Sequence, residues 1–206
     1  MSPSSVLFFL LQLCCLQMML VSMPTCKLPG KVVKKTHDLL HDLGGQFPAH
    51  CLEDNSSIHF PDSVLSAPST RHNQCRWMSL VVYECLQRAG LIFADYELPE
   101  GEDGVSWSML KLDHYLNVQD RLVEDHRCVS TNTRTRTKCR LGQTKLDWGF
   151  GLASGALSPY FSNVTTVVDQ QVGSACGWEI LRSDLLRVLR IALVNNRGCF
   201  NWTRAH

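Results

Sequence analysis

Apolar residues recur at helical spacing in several long stretches of this chain. In residues 176–194 they would all lie on one face of a helix. The members of this apolar stripe are Trp178, Leu181, Leu185, Val188, Leu189 and Ala192. Similar stripes predict helices over residues 31–43, 74–93 and 107–127. The apolar faces of these segments are expected to contribute to the core.

Two positions indicate where helices begin. Ser106 is placed to cap the helix over 107–127, and Pro159 suits the first turn of a further helix. That makes five helical segments, and no run of strands accompanies them. The pattern therefore predicts an all-α fold, a bundle of about five helices.

The segments between these helices differ in character. Residues 46–73 form a long connection that contains three prolines, and its apolar residues Leu52 and Phe60 are expected to anchor it to the body. Residues 129–156 lack helical periodicity and predict an irregular basic loop. Residues 195–206 predict a loose tail.

The last predicted helix also has a polar side. Arg182, Ser183, Arg187 and Arg190 are expected to form a basic stripe that faces solvent. None of these residues is arranged for catalysis. The stripe therefore suggests a binding surface on a structural helix.

The N-terminus resembles a secretory leader. Its apolar run over residues 6–21 is shorter than the about 20 residues that span a bilayer. We predict a signal peptide over residues 1–22, cut between residues 22 and 25, and a secreted domain over 23–206. An uncleaved anchor is the alternative, and no later segment is apolar enough to cross a membrane.

Cysteines and glycosylation sequons agree with export. Removal of the leader takes Cys14 and Cys15 away and leaves eight cysteines, which allow 105 pairings. These are Cys26, Cys51, Cys75, Cys85, Cys128, Cys139, Cys176 and Cys199. The candidate glycosylation sites are Asn55, Asn163 and Asn201.

Charge and catalytic motifs limit the function classes. The formal net charge of +1 gives no reason to expect a nucleic-acid partner. The basic loop either binds heparan sulfate or is simply solvated; its cations are Arg134, Arg136, Lys138, Arg140 and Lys145. His37 and His41 are spaced as zinc ligands, but two surface histidines are the simpler interpretation. No nucleophile elbow, metalloprotease motif, P-loop or dinucleotide fingerprint occurs, so we predict a ligand without a cofactor rather than an enzyme.

Several segments together resemble the type I interferons, most closely those of fish with four cysteines. They are CKLP at 26–29, CLEDNSSIHFP at 51–61, Ser106-Trp107 with a helix that ends at Cys128, YFSNV at 160–164, and ACGWEILRSDLL at 175–186. The resemblance implies a helical cytokine bundle of the up-up-down-down kind. It also implies the disulfides Cys26–Cys128 and Cys51–Cys176. Cys75, Cys85, Cys139 and Cys199 have no counterpart in the family; a Cys139–Cys199 bond is a guess, and Cys85 would be a buried thiol.

The function that this resemblance implies is antiviral signalling by a secreted, monomeric cytokine. Such a cytokine binds two different single-span class II cytokine receptor chains and activates JAK-STAT signalling. Residues matched to the first receptor site are Leu52, Arg182, Ser183, Leu186, Arg187 and Arg190. A glycan on Asn55 would lie in or beside that site. The alternatives are another secreted helical cytokine or hormone with different receptors and, more remotely, a secreted enzyme or metal-binding protein.

Overall fold

The computed structural model describes residues 26–52, 58–66, 71–99, 104–130, 146–170 and 175–203. The proposed leader and its cleavage site lie outside these residues. The described chain forms five α-helices: α1 Gly30–Leu43, α2 Arg71–Asp95, α3 Met109–Asp125, α4 Leu146–Gln170 and α5 Cys176–Asn195. Short 3-10 turns cover Ala49–Cys51, Asp62–Leu65, Arg127–Val129 and Arg197–Cys199. Within the described ranges there is no strand, only an isolated bridge between Pro29 and Asn201, so the predicted all-α fold is confirmed.

Contacts between helix ends give the directions of α1 and α3. The disulfide Cys26–Cys128 joins the residues before α1 to those after α3. At the other end, Lys111 Nζ donates a hydrogen bond to the carbonyl of Asp42, over 3.0 Å. These two helices are therefore antiparallel.

The direction of α5 follows in the same way. Near its start, Arg182 donates to the carbonyl of Gly45, just after α1. Beyond its end, Cys199 is bonded to Cys75 at the start of α2. Helices α1 and α2 therefore run one way, and α3 and α5 run the other way, which is the up-up-down-down order of a helical cytokine. The remaining helix, α4, is antiparallel to α5. Val168, near the end of α4, lies against Gly177 near the start of α5, and the earlier residue Tyr160 hydrogen-bonds to the later residue Asp184.

Aromatic side chains form a cluster near one end of the bundle. Phe93 of α2 lies 5.3 Å from Trp178 of α5 and 5.9 Å from Tyr115 of α3, measured between ring centroids. It also approaches Trp107, which precedes α3. Trp178 is only 1% exposed. This cluster joins α2, α3 and α5 at one end of the molecule.

Helix α4 begins earlier than the sequence predicts. The irregular loop predicted over 129–156 is wrong from Leu146 onward, and Pro159 lies inside the helix rather than in its first turn. Ala153 and Leu157 are fully buried and extend the apolar face of Tyr160 toward the N-terminus. Tertiary packing thus outweighs the weak helix propensity of the glycines here and the cost of an internal proline.

Two smaller expectations are also wrong. Helix α3 has Ser108 rather than Ser106 at its N-cap, and Trp107 is buried ahead of the helix. Leu52 does not anchor the long first connection, because it is 58% exposed. Phe60, which is buried together with Ile58 and Val64, does anchor it.

The C-terminal segment is held firmly to the body, so the predicted loose tail is wrong as far as residue 203. Cys199 pairs with Cys75 rather than Cys139, which lies outside the described residues, and Phe200 is buried. The backbone of Asn201 accepts a hydrogen bond from Gly30 over 2.6 Å and donates one to Leu28 over 2.9 Å. A Cβ on Gly30 would lie 2.5 Å from the ring of Trp202. The tail therefore packs closely against the start of α1.

Candidate functional site

A groove runs between α1 and α5 and collects most of the residues expected at the receptor site. It is lined by His37, His41, Ser183, Leu186, Arg187 and Arg190. The helical period explains this grouping, because positions three or four apart share a face and α1 packs against that side of α5. Four of the six residues matched to the first receptor site therefore lie together: Ser183, Leu186, Arg187 and Arg190.

The arginines on this surface have different surroundings. Arg190 is exposed and makes no hydrogen bond or ion pair with the described part of the chain. The guanidinium group of Arg187 forms ion pairs with Asp62 and with Asp184, the latter over 3.1 Å, and lies 5.1 Å above the ring centroid of Phe60. Of the two groove arginines, Arg190 is therefore the one without a partner in the described ranges.

Asp184 connects this groove to α4. Its carboxylate accepts a hydrogen bond from the hydroxyl of Tyr160 over 2.8 Å, as well as from Arg187. Burial raises the pKa of Asp184, although both hydrogen bonds favour the charged form. Burial alone would lower the pKa of Arg187, but its bonds to Asp62 and Asp184 outweigh burial and raise it. The charged form of Arg187 is therefore favoured, whereas burial disfavours the charged form of the neighbouring Asp184.

Arg182 does not face solvent, so its prediction as part of an exposed stripe is wrong. Its side chain is 4% exposed, and its Nε donates to Glu179 over 2.8 Å. A second nitrogen donates to the carbonyl of Gly45, also over 2.8 Å. Glu179 accepts a further hydrogen bond from the indole of Trp107 over 2.8 Å. Arg182 is therefore one part of a buried polar network.

Helical spacing accounts for this burial. Arg182 follows Trp178 by four residues and precedes Leu185 by three, so it lies within the apolar stripe. Gly44 leaves the room for it, since a Cβ at that position would lie 2.8 Å from Arg182 and 2.9 Å from Trp107. The helical spacing of Arg182 indicated burial, but its charge favoured the prediction of an exposed side chain.

Comparison with known proteins gives the family. Residues 28–194 match the family model of the interferon alpha/beta domain. The chain belongs to the type I interferon family. It is 24% identical to interferon omega-1 of the horse (Equus caballus) over 171 residues, which cover 81% of this chain and 80% of that protein. Its structure is similar to zebrafish interferon 2, with a TM-score of 0.61 and 28% identity over 81% of this chain and 98% of that one.

The resemblance to fish interferons is thereby confirmed, and so is the prediction that the protein is not an enzyme, because interferons are cytokines. The interferon also has the two disulfides that the resemblance implies, Cys26–Cys128 and Cys51–Cys176. Its third disulfide, Cys75–Cys199, had no signal beyond the cysteine count. Cys85 is a buried free thiol.

Leu52 lies apart from the groove. It follows Cys51, whose disulfide places it at the first residue of α5, whereas Arg190 is fourteen residues further along that helix. At 1.5 Å per residue, the two positions are separated by about 20 Å along the helix axis. A partner that contacts both would have to cover most of the length of α5.

The histidines of the groove are stacked. The ring centroids of His37 and His41 lie 6.3 Å apart, and each Nδ1 is 3.2 Å from the carboxylate of the next residue, Asp38 or Asp42. Among the described residues, the group of possible metal ligands is elsewhere, at His50, Cys51 and Cys176. Because those two sulfur atoms are bonded to each other, they are not available as thiolate ligands.

The remaining expected sites are distributed over the surface or lie outside the described ranges. Asn163 is exposed on α4. The side chain of Asn201 accepts hydrogen bonds from the backbone and hydroxyl of Thr203, within its own sequon. Asn55 and the basic cluster between Arg134 and Lys145 lie outside the described residues, so glycosylation and heparan sulfate binding stay predictions. None of the helices in the part of the chain that the structure describes is both long and apolar enough to cross a membrane.

Proposed function

We propose that this interferon is a secreted cytokine that brings together two different single-span class II cytokine receptor chains and thereby activates JAK-STAT antiviral signalling. The observation that carries the proposal is the interferon alpha/beta domain, which matches residues 28–194. The helical fold and its likeness to zebrafish interferon 2 support it further.

The first receptor chain is proposed to bind the face made by α1, α5 and the first connection. Its contact residues would be Leu52, Ser183, Leu186 and Arg190, with Arg187 beside them. Arginine is among the residues enriched at the energetic centre of an interface. Arg182 is left out because it is buried. The second chain would bind the opposite side, made by α2, α3 and α4.

A reporter assay tests this function directly. Purified protein, added to cells of the source species that carry an antiviral-gene reporter, should give a response that a JAK inhibitor abolishes. Arg190→Ala should raise the half-maximal concentration about 5-fold or more, because hot-spot truncations cost at least about 1 kcal/mol.

Lys35→Ala provides the matched control. Lys35 is an exposed cation on α1, two residues from His37, so it points away from the groove. Its substitution should leave the response unchanged. No response in cells that answer a related interferon would refute the proposed function, and equal effects of the two substitutions would refute the proposed face.

Secretion is tested separately. Cells that express the full chain should release it into the medium with an N-terminus at residue 23, 24 or 25. Retention of the intact chain in the membrane fraction would favour the uncleaved anchor instead.

A further inference from the structure

Both terminal nitrogens and one face of the Arg187 guanidinium group are engaged within the molecule. One terminal nitrogen is paired with Asp62 in the first connection, and the other donates to Asp184 on α5 over 3.1 Å. The plane of the first connection's Phe60 lies beneath it, with 5.1 Å from Cζ to the ring centroid. Its side chain is 33% exposed, although it lines the groove.

The segment that Arg187 holds is short and depends on few contacts. Residues 58–66 are packed through Ile58, Phe60 and Val64, which are buried. The rings of Phe60 and Tyr160 pack in a T-shaped arrangement with centroids 5.0 Å apart, and the indole of Trp77 donates to the carbonyl of Val64 over 2.7 Å. These contacts attach the segment to α4 and α2. The pair of Arg187 with Asp62 is the charged contact that attaches it to α5 and thus to the groove.

We infer that Arg187 is a positioning residue for the receptor rather than a contact made through its own charge. It holds Asp62 and Phe60 against α5, so that the first connection and the groove meet the receptor as one preformed surface. This inference rests on the proposed function. Its physical basis is preorganisation: a segment that must be ordered during binding lowers affinity, and an arginine that has two carboxylate partners gains little from a third.

A double-mutant cycle separates positioning from direct contact. The variants are Asp62→Ala, Arg187→Ala and the double substitution, measured by the half-maximal concentration in the reporter assay. If Arg187 acts through Asp62, each single substitution raises that concentration by about 5-fold, and the double variant is no worse than Arg187→Ala, because contacting residues couple. Asp62→Glu keeps the carboxylate and should restore most of the response.

Two further measurements guard against a general loss of structure. Thermal unfolding should show that the variants remain folded. Amide hydrogen exchange should become faster in residues 58–66 of Asp62→Ala and Arg187→Ala, while Arg190→Ala, whose side chain has no partner in the described residues, should leave that segment as protected as in the wild type.

Three other results would decide against the inference, and one would refute the proposed function alone. If Asp62→Ala leaves the response unchanged or improves it while Arg187→Ala weakens it, Arg187 contacts the receptor itself. If the two losses multiply, the residues act independently. If the wild-type protein gives no response while hydrogen exchange behaves as expected, the proposed function fails but Arg187 still holds the segment. Unchanged exchange in every variant would overturn the positioning role.

Discussion

Arg182 and Arg190 lie on the same helix, two turns apart, and have opposite environments. Arg182 is 3% exposed and ends in a hydrogen-bonded network with Glu179, Trp107 and the carbonyl of Gly45. Arg190 is exposed and has no partner in the part of the chain that the structure describes. The difference teaches that position on the helix, and not charge, decides which arginine is structural. The buried arginine is tolerated because its charge is paired with the carboxylate of Glu179 and two of its nitrogens are hydrogen-bonded.

Removing the inner arginine should give the largest effect. Arg182→Met leaves the carboxylate of Glu179 buried without its cation, so we expect a loss of about 3–5 kcal/mol in the free energy of unfolding. Chemical denaturation measures it, with Arg190→Met as the matched control, which should change stability by less than about 0.5 kcal/mol. Equal effects of the two substitutions would mean that the environments of the two arginines do not differ.

Crowding the same network from α1 should cost less. In Gly44→Ala, the new methyl group would meet the guanidinium of Arg182 at 2.8 Å and the indole nitrogen of Trp107 at 2.9 Å. We expect about 1–3 kcal/mol, as for other overpacked sites, measured by the same denaturation. Gly45→Ala is the control, since its Cβ would meet nothing within 4 Å. A stable Gly44→Ala protein would show that the network has room to shift.

The smallest expected effect is the pH dependence of stability that comes from Asp184, which lies between Arg182 and Arg190 in the sequence. Because the pKa of Asp184 is raised in the folded state, folding takes up a proton there, and this contribution to stability is lost as pH rises through the folded pKa. The unfolding free energy of the wild type minus that of Asp184→Asn should therefore become more positive when pH is lowered from 7 toward 4.

Asp38→Asn is an internal control of opposite sign. Slight burial would raise the pKa of Asp38, but its hydrogen bonds with Lys34 and His37 lower it overall. That group contributes stability above its unfolded pKa and loses it as pH falls, so the corresponding difference should become more negative on acidification. If the wild-type-minus-variant differences for Asp184→Asn and Asp38→Asn changed in the same direction with pH, the environment described for Asp184 would be contradicted.

The sequence predicted what depends on local periodicity and missed what depends on distant partners. Helix α1 begins one residue before its predicted start, and the stripe around Trp178 is buried as expected. The buried network of Glu179 and Arg182 was missed because its distant partners are far away in sequence: Trp107 is 72 residues from Glu179, and the carbonyl of Gly45 is 137 residues from Arg182. The early start of α4 was missed because Ala153 is a small residue among glycines, and only its packing in the bundle shows that it is core.

At the candidate site, the groove residues Ser183 and Arg190 were predicted as neighbours because they share one helix face, and Leu186 was expected there from the family resemblance. The contribution of α1, through His37 and His41, required the tertiary structure. So did the engagement of Arg187 with Asp62, since these residues lie 125 positions apart. No local rule relates them.

The order in which the cysteines pair has a consequence for a cleaved molecule. Cys26, Cys51 and Cys75 bond to Cys128, Cys176 and Cys199, each to its counterpart in the same order along the chain. A protease that cuts after a basic residue between 134 and 145 would therefore leave two halves that Cys51–Cys176 and Cys75–Cys199 still join. In denaturing gel electrophoresis, such a nicked protein would migrate as one species without a reductant and as two fragments after reduction.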